Sequence, residues 1–266
     1  MAYTYVYMKY ILVLCVCLLA GCVEREYNAV TGRDDIMFVS TESEINMGRS
    51  IANSIEKNPD IELDPDPLEA ERLRELGRRI AAVSDRQEVN YTFRVIDDDD
   101  VNAFALPGGY IFIFRGLMEK VETDDELASV MAHEVAHVVA RHSMKRLQGG
   151  VGFNILQLLM VFSGQGAQDY GRINAAFGQL VMEYSREDEA LADRIAIKYL
   201  KAAGFDPMAM LSFLKKMQEV NREAPIRPHR SYRSHPHIAD RIPMVKQELT
   251  GEIDYTDYMN KPVELH

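Results

Sequence analysis

The 266-residue chain is 47% hydrophobic and 27% charged, a balance that excludes wholesale disorder, a collagen-like fibre and a polytopic membrane protein. Its 41 acidic and 30 basic side chains leave a net charge of −11, poorly suited to phosphate backbones, so nucleic acid is excluded as an expected partner. The length suits one large domain or two small ones, and with no internal repeat or low-complexity linker one domain is the economical expectation.

The three cysteines, Cys15, Cys17 and Cys22, lie in or just after an apolar run at 11–20 that follows Lys9. One basic residue, a short apolar core and small residues at its end read as a secretory signal. The core is about half the ~20 residues that span a bilayer. Leu19-Ala20-Gly21-Cys22 resembles the bacterial lipobox, which implies cleavage before Cys22 and acylation of its thiol. Met8-Lys9-Tyr10 reads as a conventional start for such a signal. Val23, rather than Asp, after the cysteine is similar to lipoprotein sorting signals for the outer membrane. Residues 1–21 thus read as a signal peptide, 22–40 as a lipid-anchored extended tether with a turn at Thr31-Gly32, and 41–266 as one domain facing the periplasm. Once cut at Cys22, the chain has no disulfide to form.

Thr41 followed by Glu44 reads as a capping box, and predicts a helix over 42–56. After Pro59, Pro65 and Pro67 a second helix is expected over 68–83, with Leu68, Leu73, Leu76, Ile80 and Val83 as its apolar face. Residues 89–96 and 110–114 alternate and are rich in β-formers, and Pro107-Gly108-Gly109 turns the chain into the second of these strands. The four acids Asp97 to Asp100 read as a solvated loop. A helix is expected from Thr123, Asp124 or Asp125 to about Leu147. The apolar stretch 151–162, broken by Asn154 and Gln157, is too short to span a membrane and reads as a buried helix or a flap. Further helices are expected over 174–203, ended by Gly204, from Asp206-Pro207 to about Asn221, and over 238–249.

The chemistry lies in His133-Glu134-Val135-Ala136-His137. Residues four apart share a helix face, so both imidazoles reach one metal ion. Catalytic zinc takes three protein ligands and keeps one position for water. Glu134, at the edge of that face, is placed to take a proton from a water on the metal as it attacks a carbonyl. Composition alone predicts the pattern roughly 0.015 times in such a chain. A third ligand is needed, and Glu189 and Asp193 are again four apart on one predicted helix. Glu189 suits the metal, with Glu187 and Glu183 as competitors. Asp193 suits the outer nitrogen of a ligand histidine, which it would hold in one tautomer.

These residues resemble the gluzincin metallopeptidases of the HtpX and CAAX-prenyl-protease-like family, in particular their bacterial lipoprotein and periplasmic branch. The matching pieces are Val30-Thr31-Gly32-Arg33, Asn102-Ala103-Phe104-Ala105-Leu106-Pro107-Gly108-Gly109, the motif helix with Arg141-His142, the stretch 189–193, and Ser234-His235-Pro236. The resemblance implies an α+β fold, mainly helical, with a small sheet whose edge strand flanks the cleft. It implies Glu189 as third ligand to one Zn2+ per chain. It makes Asn102, Ala103, Phe104 and Ala105 the edge strand to which an extended substrate adds. It places His235 near the metal, either stabilising the oxyanion or filling the fourth position at rest. Arg241 and Tyr232 are weaker candidates for substrate or oxyanion contacts, His142 is expected beneath the motif helix, and His229 and His237 are unassigned. The implied activity is that of a zinc endopeptidase acting on misfolded or unassembled envelope proteins, with outer-membrane assembly machinery as a partner. The chain would then be the protease core on a lipid tether, without the spanning helices or helical repeats of some relatives. The alternative is a holdase or assembly factor whose zinc is latent or mainly structural.

Overall fold

The computed structural model describes residues 24–28, 33–37, 39–149, 183–223 and 235–252. The signal with Cys22, the stretch 151–162, His229 and Tyr232 lie outside the described residues. Strands β1 (Glu24–Asn28) and β2 (Arg33–Met37) pair antiparallel, with Glu24 opposite Met37. The segment expected as an extended tether therefore folds on itself there, each strand satisfying the other's backbone groups.

Helix α1 (Thr41–Glu56) is capped by Ser40, whose hydroxyl accepts from the Ser43 amide. The expected Thr41/Glu44 capping box does not form: Glu44 is buried and turns to two arginines instead. Helix α2 (Pro67–Ala81) starts on Asp66, which accepts from the Leu68 and Glu69 amides, with Pro67 in its first turn. Leu73, Leu76 and Ile80 are buried as their spacing predicts, but Leu68 is 82% exposed. Five residues before Leu73, it points about 140° away around the helix. Gly77 lets the sheet close in, since a Cβ there would lie 2.5 Å from the Phe93 ring.

The sheet holds β3 (Thr92–Ile96), β4 (Ala103–Leu106) and β5 (Tyr110–Phe114) in the order β3-β5-β4. β5 runs parallel to β3 and antiparallel to β4, with Ala103 opposite Ile113. The 3-10 turn Pro107–Gly109 joins β4 to β5, and Gly108 and Gly109 take φ of 72° and 90°, which only glycine adopts freely. The strand expected from residue 89 begins at Thr92, because Val89 lies in a turn on the Arg86 carbonyl. Alternation sorts the two faces. Ala103, Ala105, Ile111 and Ile113 join the main core, while Phe104, Leu106 and Phe112 join a second core against α1. With helices on both faces, β4 reads as an unbroken apolar run. A short helix α3 (Arg115–Met118) follows, and Arg115 gathers Asp97 and Asp99 of the acidic loop together with Glu119.

Helix α4 (Asp124–Val139) is capped by Thr123 and buried on every side from Glu126 onward. It lies at the centre of the core, against α2, β4 and the later helices α6 (Arg186–Ala203) and α7 (Met208–Glu223). The single helix expected to about Leu147 is broken: Arg141 takes φ of 54°, and α5 (His142–Gly149) starts afresh. The Arg141 guanidinium is drawn to Glu44 and the Val39 carbonyl, which repays the left-handed backbone. Of the helix expected over 174–203, residues 174–182 lie outside the described residues; α6 begins at Arg186, where Ser185 and Asp188 form a reciprocal capping box. Gly204, with φ of 77°, ends it. Asp206 accepts from the Met208 amide at the start of α7, and α8 (Ile238–Thr250) packs on both α6 and α7. The whole is mainly helical with a small mixed sheet, an α+β fold. Among the described residues no helix is long and apolar enough to cross a membrane.

Candidate metal centre

Two one-turn spacings meet at the crossing of α4 and α6. His133 and His137 project from α4, and Glu189 and Asp193 from α6. His235, just before α8, closes the group, and all five are at most 2% exposed. His133 Nε2 lies 3.0 Å from His137 Nε2 and 3.1 Å from His235 Nδ1. Glu189 Oε1 is 3.0 Å from His235 Nδ1 and 3.5 Å from His137 Nε2, and its Oε2 is 3.4 Å from His133 Nε2. One ligand atom from each of His133, His137, Glu189 and His235 lies within 4.8 Å of all the others.

The groups behind the cluster orient it. Asp193 Oδ1 is 2.9 Å from His133 Nδ1, a position that draws the proton to Nδ1 and leaves Nε2 a lone pair. Arg241, expected as a weak substrate contact, is instead buried and committed. It donates to both Asp193 oxygens at 2.8 and 2.6 Å and lies 2.7 Å from Glu189 Oε2. Planar guanidinium geometry lets one side chain hold both acids. Burial opposes the charge on Glu189, yet Arg241, His235 and His133 outweigh it and hold the carboxyl well below the usual range. Asp193 is lowered in the same way, by Arg241 and His133 against burial. Burial pushes His137 well below an ordinary imidazole. His235, facing Glu134 and Glu189, is raised to about 9 against its burial.

Donor chemistry fits a cation. Imidazole lone pairs and a carboxylate converge in a dry pocket, where like-signed groups left to themselves are costly. A tetrahedral ion with bonds of about 2.0–2.1 Å separates its ligand atoms by roughly 3.4 Å, close to the spacings here. Beside them stands Glu134, fully buried. Neither carboxylate oxygen takes a hydrogen bond among the described residues, although His235 Nε2 lies 3.0 Å from Oε1.

Of the other expected residues, Glu183 and Glu187 are exposed and stay out of the cluster. Ala103, Phe104 and Ala105 lie in β4, the terminal strand of the sheet, packed against α4, with the Ala105 carbonyl accepting from Ser143. Asn102 precedes the strand and its carbonyl accepts from the Phe114 amide. His142 sits under the motif, Nδ1 to Nδ1 at 2.8 Å from His137. Burial, against the pull of Asp188, lowers His142 to about 4. His237 caps α8 by its backbone and stays out of the cluster. Tyr184 was invisible in the sequence. Its ring stacks on His137 with centroids 3.7 Å apart, and Arg146 covers its other side. It stands in the irregular link before α6, where no periodicity marks it.

Residues 67–249, well over half of the chain, match Peptidase family M48. The chain belongs to that family. The chain is 30% identical to a putative beta-barrel assembly-enhancing protease of Vibrio cholerae serotype O1 over 250 residues, 86% of this chain and 50% of that protein. It is 35% identical to the mitochondrial metalloendopeptidase OMA1 of Schizosaccharomyces pombe over 140 residues, 53% of this chain and 41% of that one. It is 27% identical to the metalloprotease LoiP of Escherichia coli over 186 residues, 69% and 71% of the two chains. The chain spans about half, or less, of the length of the assembly-enhancing proteases it matches. M48 membership implies a metal, typically zinc, and the His133, His137, Glu189 and His235 cluster has the donors to hold one.

Proposed function

We propose that the chain is a lipid-anchored zinc endopeptidase that cuts misfolded or unassembled envelope proteins, with one Zn2+ per chain on His133, His137 and Glu189. The observation that carries this is the pairing of a convergent, buried donor set with a fully buried Glu134 carboxylate at its edge, 3.0 Å from His235 Nε2. A purely structural metal site has no need of such a group. When bound, the ion supplies Lewis acidity toward a peptide carbonyl and toward water. Glu134 takes the proton from the attacking water and returns it to the leaving amine. Asp193, clamped by Arg241, keeps His133 in its ligating tautomer. Extended substrate would lie along β4, over Asn102, Ala103, Phe104 and Ala105, where backbone pairing gives affinity with little sequence preference. Domain organisation follows: a signal over 1–21, a lipid-bearing segment over 22–40 and one peptidase domain over 41–266. Lipid on Cys22 would hold the enzyme at the outer membrane, facing the periplasm. The names of the assembly-enhancing relatives support outer-membrane assembly machinery as a partner.

The test incubates the zinc-loaded full chain, in detergent, with an unfolded protein and maps new termini by mass spectrometry. Glu134→Gln should keep its zinc and lose about 10²–10⁴-fold in turnover. Equal cutting by both proteins would remove Glu134 from the reaction. No cutting by either, with zinc bound, would favour the holdase.

One observation favours a latent form of the same site. His235 offers a fourth donor where a catalytic site keeps a position open. His235→Ala should raise cleavage if the ring blocks the ion at rest and lower it if the ring assists the transition state. Unchanged cleavage would remove it from the mechanism.

A further inference from the structure

The two motif histidines are steadied from behind by different chemistry. His133 turns Nδ1 toward a carboxylate, Asp193, which Arg241 holds. His137 turns Nδ1 toward another imidazole, 2.8 Å from His142 Nδ1. Two ring nitrogens at that distance attract only if one carries the proton and the other the lone pair. Nothing in the pair itself decides which.

The far side of His142 decides it. His142 is buried, and its Nε2 makes no hydrogen bond among the described residues but has the Asp188 carboxylate beside it, with Oδ1 3.3 Å away. The negative charge at that distance draws the proton to Nε2 of His142, which leaves the lone pair on its Nδ1. His137 must then carry its own proton on Nδ1. Its Nε2 is left with a lone pair aimed at His133, His235 and Glu189. That is the one neutral tautomer of His137 able to ligate through Nε2.

Backbone features put this chain of groups in place. Continued without a break, α4 would carry residue 142 about 140° around the axis from His137. The left-handed Arg141 folds it back beneath the ring instead. Asp188 is the third residue of α6 and belongs to its capping box. Its Oδ2 accepts from the Ser185 amide at 3.3 Å, which leaves Oδ1 to face His142.

We infer that His142 and Asp188 are positioning residues of the metal centre, setting His137 in the Nδ1–H tautomer so that Nε2 presents its lone pair to the ion. This rests on the metal site proposed above and adds a second, separate orienting chain to it. Asp188→Asn tests it because the change reverses the chain without deleting the cap. The amide oxygen takes over the bond from Ser185, and the NH2 group then faces His142 Nε2. His142 is driven to its Nδ1–H form, donor against donor with a ligating His137. Asp188→Ala deletes the cap and the acceptor, and water can reach the site because the Asp188 side chain is 25% exposed. The tautomer is then released but not reversed.

The experiment measures zinc affinity by competition with a chromophoric chelator, and the thermal midpoint of the metal-free protein, on the full chain in detergent. Zinc affinity should fall in the order wild type, Ala, Asn, with the Asn variant weaker than wild type by about 10–100-fold. Thermal midpoints should fall in the other order, with Ala below Asn, because only Ala loses the cap. His142→Phe, which fills the space without an acceptor, should also weaken zinc by about 10-fold or more. Zinc affinities that simply follow thermal midpoints would overturn the inference in favour of a structural role. So would an Asn or Phe variant that binds zinc as tightly as wild type. A wild-type protein that binds zinc no better than His133→Ala would sink the metal site itself and the orienting chain with it.

Discussion

Among the described residues, the charge cluster around Glu44 and the one around His133 are both buried, and they are built on different rules. At the first, Glu44 of α1 meets Arg86 at 2.9 and 3.2 Å and Arg141 at 2.8 Å, while the Gly108 amide approaches its Oε1 at 3.4 Å. The arginines spend further N–H groups on the Val138 and Val39 carbonyls and on Glu88. Guanidinium groups face carboxylate and carbonyl oxygens, and α1, the β4–β5 turn and the end of α4 are tied together. The second cluster, at His133, His137, Glu189 and His235, is equally buried, yet its ligand atoms converge on one another, with Glu134 beside them 3.0 Å from His235 Nε2. Burial of charge does not by itself mark a functional site. What sets the second cluster apart is that four ligand atoms converge on one another, where buried polar groups are ordinarily paired donor to acceptor.

The largest expected effect lies at the Glu44 cluster. Glu44→Ala leaves two guanidinium groups buried without their acid and should cost about 3–5 kcal/mol of stability by urea unfolding. Zinc affinity of the molecules that remain folded should be unchanged; a matching loss of affinity would mean that the two clusters are one unit. Arg241 offers a sharper division, since it supplies the cation that Glu189 and Asp193 lack without metal. Arg241→Met should destabilise the chelator-treated protein by about 3 kcal/mol. The loss should be smaller with zinc present, because the ion then faces Glu189. Equal losses in both conditions would show that metal and guanidinium do not share that acid. The smallest effect belongs to an ion pair outside both clusters. Burial works against the Glu126 charge, but Lys216, the Glu122 amide and Ser212 hold its carboxyl below 4.5. Folding is therefore strengthened above the unfolded value, and that part is lost as pH falls through the lowered folded value. Glu126→Gln should cost about 1 kcal/mol at neutral pH and flatten the stability profile in that acid range. An unchanged profile would show that Lys216 contributes nothing through this contact.

What was legible in the chain was whatever repeats over a few residues. One-turn spacing put His133 beneath His137 and Glu189 beneath Asp193 because helix geometry is local. The β4–β5 hairpin announced itself through Pro107-Gly108-Gly109, and the end of α6 through Gly204. Leu68 misled because an apolar residue near a helical stripe is not bound to lie on it. Glu44 misled because a glutamate three residues after a threonine fits a capping box equally well, and only the approach of Arg86 and Arg141 decides otherwise. The cap at Ser185 and Asp188, which starts α6 afresh at Arg186, was passed over because its strength is hard to weigh against a continuing apolar pattern.

Most of the helices and strands, the family resemblance and the chemical character of the motif were legible in the chain itself. These depend on periodicity, turn chemistry and the functional groups of residues within one helical turn. Only the tertiary structure decided that Arg141 breaks the motif helix, that Arg241 is spent on two acids, that Tyr184 lies on His137 and that His142 stands between His137 and Asp188. Each of these joins atoms from different elements, at separations set by how α4, α5, α6 and α8 pack, and packing is a property of the whole core rather than of any local pattern.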